Sequence, residues 1–531
     1  MTTASTPNAF AGNRVATTGG IVEGTREHGS NITTFRGIPF GAPPTGQLRF
    51  APPQPVEQWS GVRKADTFGP RAMQLPVFGD MDFRSNGMSE DCLYLNVWTP
   101  ATSADDRNHL PVLVYFYGGG NVAGDGSEPR YDGEALARRG LVTVTVNYRL
   151  GVFGFFAHPE LSNESGRGAS GNQGYLDQNL ALQWVRDNIG AFGGDPARVT
   201  IAGESAGSIS VSIQMASPLS KDLIAGAIGS SGAAMGAPVR SDTLAEKERQ
   251  GAEIMATTGV DSLAALRAMP AETLLEATKG LGFAAYRSNV DGYLLPDSVE
   301  AIFAAGEQAR VPLLVGWNSE EANYRSILGE DEPTRENYVK AVRALYDEEA
   351  DEVLRLYPAS TGDEVIEAAT DLASDRFLGY VTWKWADLHG QTSHCPVYRY
   401  FYSHPRPPMV PEMGDAVAGL AGGIVRGADA TPAPVPRGAV HSADIEYAMG
   451  NLPTNRVFAW TSEDDAVSEV MQRCYANFVK TGDPNGGGVP DWPAANAGDV
   501  VTVMRWDVVS KAEPERNRER YLCHDSRLRT S

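Results

Sequence analysis

A serine between two glycines follows a short apolar segment before the middle of the chain. Gly-Glu-Ser-Ala-Gly occupies residues 203–207, directly after the apolar residues 199–202, and small residues at helical spacing begin at about Ser208. A strand, a tight G-x-S-x-G turn and a helix are typical of a nucleophile elbow, whose sharp turn exposes the serine hydroxyl at the end of a sheet. A glycine-rich turn that merely exposes a serine is the alternative, but the flanking segments favour the elbow. Ser205 is therefore predicted to be a nucleophile.

The predicted nucleophile requires two partners. A serine hydroxyl reacts poorly near neutral pH unless a base accepts its proton, and that base needs a carboxylate to orient it and to stabilise the cation. The chain contains eight histidines and 66 acidic residues. Residue types alone do not choose among the histidines that follow Ser205, which are His389, His394, His404, His441 and His524.

Two longer motifs are similar to a known family. Residues 192–207, FGGDPARVTIAGESAG, resemble the active-site signature of the type-B carboxylesterases, which include cholinesterases and many bacterial esterases. Residues 90–97, EDCLYLNV, resemble the second signature of that family. The similarity extends from about residue 20 to residue 507. It implies an α/β-hydrolase fold, with a mostly parallel twisted sheet, flanking helices, helical insertions and a small N-terminal antiparallel sheet.

The resemblance also assigns a base and an acid. His441 lies in GAVHSADIEYAMG, which is similar to the loop that carries the catalytic histidine of the family. The family places its glutamate five residues after a glycine at a strand end, usually within Asp-Glu-Gly. In GWNSEEA, residues 316–322, this position is Glu321, and Glu320 stays a rival because Ala322 replaces the usual glycine. Serine, acid and histidine then follow in the order that α/β-hydrolases use.

Three backbone amides are expected to bind the developing oxyanion. The residue after the nucleophile, Ala206, supplies one, and by match to the family Gly119 and Gly120 supply the others. These glycines follow the continuous apolar run at residues 111–116, which makes a merely flexible turn the weaker interpretation. Asn121 stands where relatives usually carry an aromatic residue. It is expected to bring a polar group to the substrate pocket and to alter acyl preference.

Further positions follow from the same resemblance. Glu204, Ser231 and Asp444 match residues near the triad in relatives. Ala233 and Ala234 stand where some relatives have bulkier acyl-pocket residues, which predicts a roomier acyl side. Two buried ion pairs of the family are also matched, with an architectural role, by Arg49–Glu90 and Arg149–Asp177.

A length of 531 residues by itself suggests several domains, but the resemblance implies one large α/β domain. The alternation of strands and helices predicts a doubly wound, mostly parallel sheet. Residues 1–18 are expected to be a flexible N-terminus, and residues 19–531 a single domain. Residues 333–390 are expected to be a helical insertion, and the Pro-, Gly- and Ala-rich residues 405–437 to form a rim loop around the pocket. Residues 69–91 match the family's mobile loop over the gorge mouth. They contain no tryptophan, which argues against a cholinesterase.

The composition of the chain limits which partners it can bind and which cellular compartment it is expected in. Hydrophobic residues make up 42% of the 531 residues, enough for a large core, and the net charge of −21 argues against nucleic acid and stable membrane association. The first twenty residues lack the pattern of a signal peptide. The four cysteines fit no zinc site. Secreted relatives pair the cysteine at the Cys92 position with one where this chain has Ala72, so a bacterial cytoplasm is expected.

The leading hypothesis is a serine carboxylesterase that acts on a small-molecule ester as a monomer or homodimer, without metal or cofactor. An amidase or a carbamate hydrolase could use the same triad. A non-catalytic interaction protein is a third hypothesis, because the family includes adhesion relatives that lost the nucleophile. The presence of Ser205, Glu321 and His441 argues against that third hypothesis. An interfacial lipase is disfavoured by the modest rim loop and the charged surface.

Overall fold

The computed structural model describes residues 10–11, 13–101, 109–427 and 434–528. The strands are β1 (Phe10–Ala11), β2 (Arg14–Ala16), β3 (Ile21–Glu23), β4 (Thr33–Pro39), β5 (Val62–Lys64), β6 (Tyr94–Thr99), β7 (Leu110–Phe116), β8 (Val142–Val146), β9 (Gly194–Glu204), β10 (Gly226–Ser230), β11 (Asp242–Thr243), β12 (Asn289–Val290), β13 (Leu313–Asn318), β14 (Val397–Tyr402), β15 (Val417–Ala418), β16 (Ile424–Val425), β17 (Thr502–Trp506) and β18 (Lys511–Pro514).

The α-helices are distributed along the whole described chain. They are α1 (Glu134–Arg138), α2 (Gly151–Phe155), α3 (Pro159–Glu164), α4 (Gln173–Asn188), α5 (Ala206–Ala216), α6 (Leu244–Thr258), α7 (Leu263–Ala268), α8 (Ala271–Ala277), α9 (Val299–Ala304), α10 (Arg325–Leu328), α11 (Arg335–Tyr346), α12 (Ala350–Leu356), α13 (Gly362–Ser374), α14 (Tyr380–Thr392), α15 (Ile445–Met449), α16 (Ser462–Thr481) and α17 (Arg518–Leu528).

A ten-stranded mixed sheet organises the described chain. Its strand order is β18-β17-β14-β13-β10-β9-β7-β8-β6-β4. Neighbouring strands from β8 to β17 run parallel, whereas β4, β6 and β18 are antiparallel to their neighbours. The central strands β7, β8, β10 and β13 are almost entirely buried, as expected for parallel strands that are covered on both faces. The carboxyl ends of β7, β9, β10 and β13 therefore meet at one edge of the sheet.

The N-terminus departs from the expectation of a flexible segment. β2 pairs with β3, and Val15 is fully buried. β2 also pairs with β1, so this part of the N-terminus is held by strands on both sides. β3 also pairs in parallel with β5, so the small N-terminal sheet is mixed rather than antiparallel. Residues 1–9 and 12 of the expected flexible segment lie outside the described residues.

The predicted helical insertion contains α11 to α14. Its apolar side chains form a separate buried cluster that includes Tyr338, Val342, Val365 and Leu372. Between α13 and α14 the backbone widens into a π-helical turn at Asp375–Gly379. Such turns frequently occur at functional sites, and this turn faces the loop that carries His441.

The predicted rim loop contains a small hairpin formed by β15 and β16, while residues 428–433 lie outside the described residues. The hairpin contacts the 69–91 loop through Asp80, whose Oδ2 accepts a hydrogen bond of 3.3 Å from the backbone N–H of Gly423. Burial raises the pKa of Asp80. An ideal Cβ on Gly419 would lie 2.1 Å from the Asp80 carboxyl carbon. The two loops thus pack directly against each other.

The two predicted ion pairs are present. The Arg49 guanidinium contacts both oxygens of Glu90, at 2.6 and 2.5 Å, and the Arg149 guanidinium contacts both oxygens of Asp177, at 2.8 and 2.7 Å. Breaking a buried pair of this kind costs more than the pair contributes, because it leaves one charge buried and unpaired.

The chain has no covalent cross-link among its cysteines. All four are free thiols. In the part of the chain that the structure describes, no three His, Cys, Asp or Glu side chains cluster as ligands for a metal ion. The same described residues include no helix with the length and hydropathy needed to span a membrane.

Candidate active site

The predicted nucleophile lies at the turn between β9 and α5. Ser205 has φ +56° and ψ −123°, a conformation that a non-glycine residue adopts only where its surroundings enforce it. An ideal Cβ on Gly203 would lie 2.3 Å from the carbonyl carbon of Gly207, and one on Gly207 would lie 2.0 Å from the carbonyl oxygen of Phe116. Because strand and helix cross this closely, only glycine fits at both positions. The turn therefore has the geometry of a nucleophile elbow.

The triple-glycine loop lies beside this elbow, at the end of β7. Gly119 and Gly120 have φ values of +116° and +65°, and an ideal Cβ on Gly118 would lie 3.0 Å from the Cβ of Ser205. Within the described residues, no hydrogen bond uses the backbone N–H of Gly119 or Gly120 as donor. Ala206 is the first residue of α5, so its N–H has no acceptor within the helix. Three N–H groups near Ser205 thus remain available for an anionic oxygen.

The three predicted triad side chains form a hydrogen-bonded row. His441 Nε2 lies 3.0 Å from Ser205 Oγ, and His441 Nδ1 lies 2.6 Å from Glu321 Oε2. The other oxygen of Glu321 accepts hydrogen bonds from Ser231 Oγ at 2.5 Å and from the backbone N–H of Asn318 at 2.6 Å. Both oxygens of this buried carboxylate are therefore satisfied. Such a row can move a proton from a hydroxyl to an imidazole while the carboxylate stabilises the resulting cation.

The rival acid makes its contacts elsewhere. Glu320 Oε1 accepts a hydrogen bond of 2.7 Å from the backbone N–H of Arg437, and the Glu320 backbone forms a bridge with Val440. Glu321 is the carboxylate that reaches the imidazole. Of the two neighbouring carboxylates that the sequence left open, Glu321 is therefore the one in hydrogen-bond contact with His441.

Asn318 is a structural partner of the site that the sequence analysis did not single out. It is the last residue of β13. Its side-chain nitrogen donates hydrogen bonds to the Val440 carbonyl at 2.8 Å and to Asp444 Oδ1 at 3.1 Å, while its backbone N–H holds Glu321. Asn318 thereby links the acid to the loop that carries the base. The sequence did carry one indication of this role, because a polar residue at the carboxyl end of a buried parallel strand is often part of a functional site.

A second carboxyl group lies against the same imidazole. Glu204 Oε1 lies 3.3 Å from His441 Nε2, and it has no hydrogen-bond partner in the part of the chain that the structure describes. Burial raises the pKa of Glu204 to about 8, against the lowering effect of the charge on His441. This environment contrasts with that of Glu321, whose oxygens all have donors.

Several acidic side chains lie near the His441 imidazole and affect its pKa. Burial by itself would lower the pKa of His441, but Glu204 and Glu321 together outweigh it and raise that pKa to about 9. Asp444 contributes in the same direction. It accepts a 2.5 Å hydrogen bond from Ser230 Oγ, and burial raises its own pKa. Protons in this group are therefore shared among interacting sites rather than belonging to one residue.

Three residues expected in the substrate pocket are buried. The Asn121 side-chain nitrogen donates hydrogen bonds to Tyr175 Oη at 2.9 Å and to the Tyr286 carbonyl at 3.0 Å, as a buried amide requires. The Asn121 side-chain oxygen has no hydrogen-bond partner among the described residues. Ala233 and Ala234 are 0% and 2% exposed. The role of these three residues in the substrate pocket stays a prediction.

An aromatic ring lies over the triple-glycine loop although residue 121 is Asn. An ideal Cβ on Gly120 would lie 2.4 Å from Phe283 Cδ1, so this ring rests directly on the glycine. Phe283 is 53% exposed and stacks on Phe78 of the 69–91 loop, with ring centroids 6.1 Å apart. The aromatic group comes from a distant segment, which no local motif could have indicated.

A large apolar cavity lies on the His441 side of the site. Its volume is about 1060 Å³, and its lining includes Glu321 and Val440. Phe377 of the π-helical turn also lines it, and the Phe377 and His441 rings meet edge to face with centroids 5.8 Å apart. Apolar residues of the rim loop and its neighbours complete much of the wall, among them Met409, Leu420, Val435 and Phe458.

The sequence matches known proteins along nearly its full length. A profile of the carboxylesterase family matches residues 11–520. A fumonisin B1 esterase of Sphingopyxis macrogoltabida is 33% identical over 515 residues, which cover 92% of this chain and 85% of that protein. The para-nitrobenzyl esterase of Bacillus subtilis (strain 168) is 32% identical over 528 residues, which cover 96% of this chain and 98% of that enzyme.

Solved structures show the same likeness. The carboxylesterase EST55 of Geobacillus stearothermophilus superposes with a TM-score of 0.77 and 29% sequence identity. The alignment covers 96% of this chain and 99% of that enzyme. The likeness therefore includes the helical insertion and the loops around the site as well as the central sheet.

Proposed function

The chain belongs to the carboxylesterase family and is a carboxylic ester hydrolase, and on that premise we propose that it works as a serine esterase through an acyl-enzyme on Ser205. The predictions of this family and of the α/β-hydrolase fold are confirmed. The observation that carries the proposal is the hydrogen-bonded row from Ser205 through His441 to Glu321.

The first half of the reaction forms the acyl-enzyme. Ser205 Oγ attacks the ester carbonyl carbon while His441 Nε2 accepts the hydroxyl proton. Electrons move onto the carbonyl oxygen, which the N–H groups of Gly119, Gly120 and Ala206 stabilise. The carbon–oxygen bond to the alcohol then breaks as the imidazolium returns its proton to the leaving oxygen. The alcohol departs, and the acyl group remains on Ser205.

The second half regenerates the enzyme. A water molecule gives a proton to His441 as its oxygen attacks the acyl carbon, and the same three N–H groups hold the second oxyanion. The bond to Ser205 Oγ then breaks, the imidazolium protonates that oxygen, and the carboxylic acid leaves. Glu321 keeps its charge throughout and stabilises the imidazolium in both halves.

An amidase or carbamate hydrolase would use the same residues. The difference lies in the leaving group, since an amine must be protonated before it departs whereas an alcohol leaves more readily. The ester is therefore the substrate that we propose, and hydrolysis of 4-nitroacetanilide should be far slower than that of 4-nitrophenyl acetate. A non-catalytic role is disfavoured because all three triad side chains are present and in hydrogen-bond contact.

The test is hydrolysis of 4-nitrophenyl esters from acetate to decanoate by the wild-type enzyme and by the Ser205→Ala variant. We expect clear activity in the wild type and a loss of about six orders of magnitude in kcat for the variant. Circular dichroism should show that both proteins are folded equally. Retention of most activity by folded Ser205→Ala protein would contradict the proposal.

We also propose that the enzyme works in a reducing compartment such as a bacterial cytoplasm. The free state of all four cysteines supports this, since Cys92 and Cys474 are buried and have no bonded partner. Thiol titration of the denatured protein, purified from its native source under alkylating conditions, should count four thiols. A count of two would indicate a disulfide and contradict the proposed compartment.

A further inference from the structure

We infer that Asn121 is a positioning residue of the oxyanion hole, because its side-chain amide fixes the triple-glycine loop to two separate parts of the fold. This inference rests on the proposed function and adds a residue on which the rate of that reaction depends. It assigns to the Asn121 side chain an effect on kcat rather than on the binding of the ester.

Asn121 lies in a tight turn that also contains the two proposed oxyanion glycines. The Gly119 carbonyl oxygen accepts hydrogen bonds of 3.1 Å from the backbone N–H groups of both Val122 and Ala123. The residues between, Gly120 and Asn121, have φ values of +65° and +61°. Positive φ at both central positions is typical of a type I′ turn, which is dominated by glycine, asparagine and aspartate. The Gly-Asn sequence therefore fits the backbone of this turn.

The turn determines where an oxyanion donor points. A trans peptide unit is planar, and its C=O and N–H groups point in opposite directions. Because the Gly119 carbonyl points into the turn, the N–H of Gly120 points out of it. The loop also lies close to the nucleophile, since an ideal Cβ on Gly118 would lie 3.0 Å from the Cβ of Ser205. A small rotation of the turn would therefore change the direction of a donor next to the reacting carbon.

Three hydrogen bonds of Asn121 hold this turn. Its Nδ2 donates to Tyr175 Oη at 2.9 Å and to the backbone carbonyl of Tyr286 at 3.0 Å. A carbonyl can only accept, so the nitrogen of the amide and not its oxygen must face Tyr286. The backbone carbonyl of Asn121 accepts a third bond, of 2.7 Å, from the N–H of Gly151 at the start of α2. The two side-chain bonds are the ones that depend on residue type.

The Tyr175 hydroxyl is a rigid support for the amide. Tyr175 lies in α4, is fully buried, and its ring meets that of Phe155 edge to face with centroids 5.1 Å apart. The side chain of Gln214 donates a 2.9 Å hydrogen bond to the Tyr175 backbone carbonyl. Because the interior of a protein is close-packed, a large side chain in such a place has little freedom to move.

The second support is the 3₁₀ turn Phe283–Tyr286. The carbonyl of Ala285 in this turn accepts a 2.5 Å hydrogen bond from Lys247 Nζ, and Lys247 is only 2% exposed. The 3₁₀ turn then contacts the oxyanion loop twice. The ring of its first residue rests on Gly120, and the carbonyl of its last residue accepts the bond from Asn121.

Loss of the amide should loosen the loop without removing a donor. A hydrogen-bond donor that is already in place when charge develops stabilises the transition state more than one that must first be moved into place. The carbonyl oxygen of the bound ester carries less charge than the oxyanion, so it depends less on the exact position of the donors. kcat should therefore fall while KM changes little.

Asn121→Gly separates the amide from the conformation of the turn. Glycine adopts a φ of +61° without strain, so the variant keeps the backbone and loses only the two side-chain bonds. We expect kcat for 4-nitrophenyl acetate to fall about ten- to a hundredfold, with KM within about threefold of wild type. Folded Asn121→Gly protein with wild-type kcat would overturn the inference. Asn517→Gly is the matched control, because Asn517 also has a left-handed φ, of +63°, but is exposed and precedes α17. It should retain wild-type kcat and KM.

Tyr175→Phe tests the same contact from the other partner. It removes one acceptor of the amide and leaves the Tyr286 carbonyl, so we expect kcat to fall only about two- to fivefold. Added to Asn121→Gly it should have no further effect, because the hydroxyl acts through Asn121. Additive losses in the double variant would overturn the link between the two side chains. If Asn121→Gly does not fold, an unchanged kcat in Tyr175→Phe would by itself overturn the inference.

Inhibition by an alkyl trifluoromethyl ketone distinguishes positioning from a merely structural role. Ser205 Oγ adds to the ketone carbon, its proton passes to His441, and the ketone oxygen becomes an oxyanion in the hole. We expect the inhibition constant of Asn121→Gly to rise by the factor by which kcat/KM falls. A lower melting temperature with an unchanged inhibition constant would overturn the inference. Hydrolysis of 4-nitrophenyl acetate by the wild type, and its loss in Ser205→Ala, test the proposed function separately.

Discussion

The floor of the active site and the wall above it are built from different kinds of segment. The floor consists of residues that follow the carboxyl ends of central strands, namely residues 118–120, 204–206, 231 and 318–321, together with His441. The wall consists of the 69–91 loop, the rim loop and the π-helical turn. Floor residues are held by buried hydrogen bonds and by contacts that admit no side chain, whereas wall residues are held by one loop against another.

This difference separates two properties of the enzyme. The position of the floor is set by the register of the sheet, so the reacting groups can be preorganised to a fraction of an ångström. The wall is set by loop–loop packing, in which Asp80 and the β15–β16 hairpin meet through a 3.3 Å hydrogen bond from Gly423 and close van der Waals contact. Changes in the floor should therefore affect the rate of chemistry, and changes in the wall should affect which substrates are bound.

The largest effect after loss of the nucleophile is expected for Glu321→Gln. A neutral amide does not stabilise the imidazolium charge, and with its oxygen held by Ser231 and Asn318 it presents an N–H donor to His441 Nδ1 instead of an acceptor. We expect kcat to fall by about four orders of magnitude without loss of the fold. The matched control is Glu320→Gln, one residue away, whose carboxyl contacts the Arg437 backbone instead. Steady-state kinetics on 4-nitrophenyl acetate should find the control within about threefold of wild type. Similar losses in both variants would mean that the floor is not organised as described.

A smaller but still large effect is expected for Gly119→Ala. Its φ of +116° and the 2.2 Å approach of an ideal Cβ to the Ala123 carbonyl oxygen force the loop to shift. Displacing an oxyanion donor should lower kcat by about a hundred- to a thousandfold, or about 3 kcal/mol. Gly29→Ala is the control, because Gly29 also has a positive φ but has no neighbour within 4 Å of an ideal Cβ. The control should retain wild-type kcat. An unchanged kcat in Gly119→Ala would mean that this loop does not stabilise the oxyanion.

The elements of the floor were also those that the sequence could predict. Glycine spacing and an apolar run indicated the elbow at Ser205, since a close crossing of strand and helix admits only glycine. His441 and Glu321 came from longer motifs. Asn318 was missed because its role depends on a loop about 120 residues away. A strand end marks a position for function, but only the folded chain shows which partner that position meets.

The wall and the edges of the fold were harder to predict. The orientation of Asn121 depends on Tyr175 and Tyr286, which the local sequence does not specify. Phe377 is displayed by a π-helical turn that has no simple sequence pattern. The segment around Val15 was expected to be flexible, but β2 pairs with the short strands β1 and β3. In each case a contact with another segment outweighs the local signal.

The pH dependence of activity should depend on the carboxyl groups around His441. His441 must be neutral to accept a proton, so activity falls as pH drops below the pKa that Glu204 and Glu321 raise to about 9. Glu204→Gln removes one of these carboxyl groups, and the acid limb of kcat/KM should move to lower pH by about one unit. Activity just below the wild-type limb should therefore rise. The control, Glu272→Gln, changes an exposed side chain and should leave the acid limb of kcat/KM at its wild-type pH. A shift of that limb to higher pH in Glu204→Gln would contradict the stabilisation of the imidazolium by Glu204.

The smallest effect is expected in the wall. Asp80→Asn keeps the size of the side chain but weakens the hydrogen bond from Gly423, a loss of about 1 kcal/mol in loop contact. We expect KM for 4-nitrophenyl esters to rise about threefold while kcat stays within about twofold. Initial-rate measurements over a wide substrate range separate the two constants. A hundredfold loss of kcat would break the distinction between wall and floor.

The most direct test of the central claim is the site of covalent reaction. A fluorophosphonate reacts with an activated serine and stays bound, because the phosphorus centre mimics the tetrahedral intermediate. Intact-mass measurement should find one label on the wild-type protein, peptide mapping should place it on Ser205, and hydrolysis of 4-nitrophenyl acetate should stop as the label accumulates. Ser205→Ala and Glu321→Gln should take up little or no label over the same time. Full hydrolysis by unlabelled protein after exposure, or a label on another residue that accounts for the lost activity, would contradict the account.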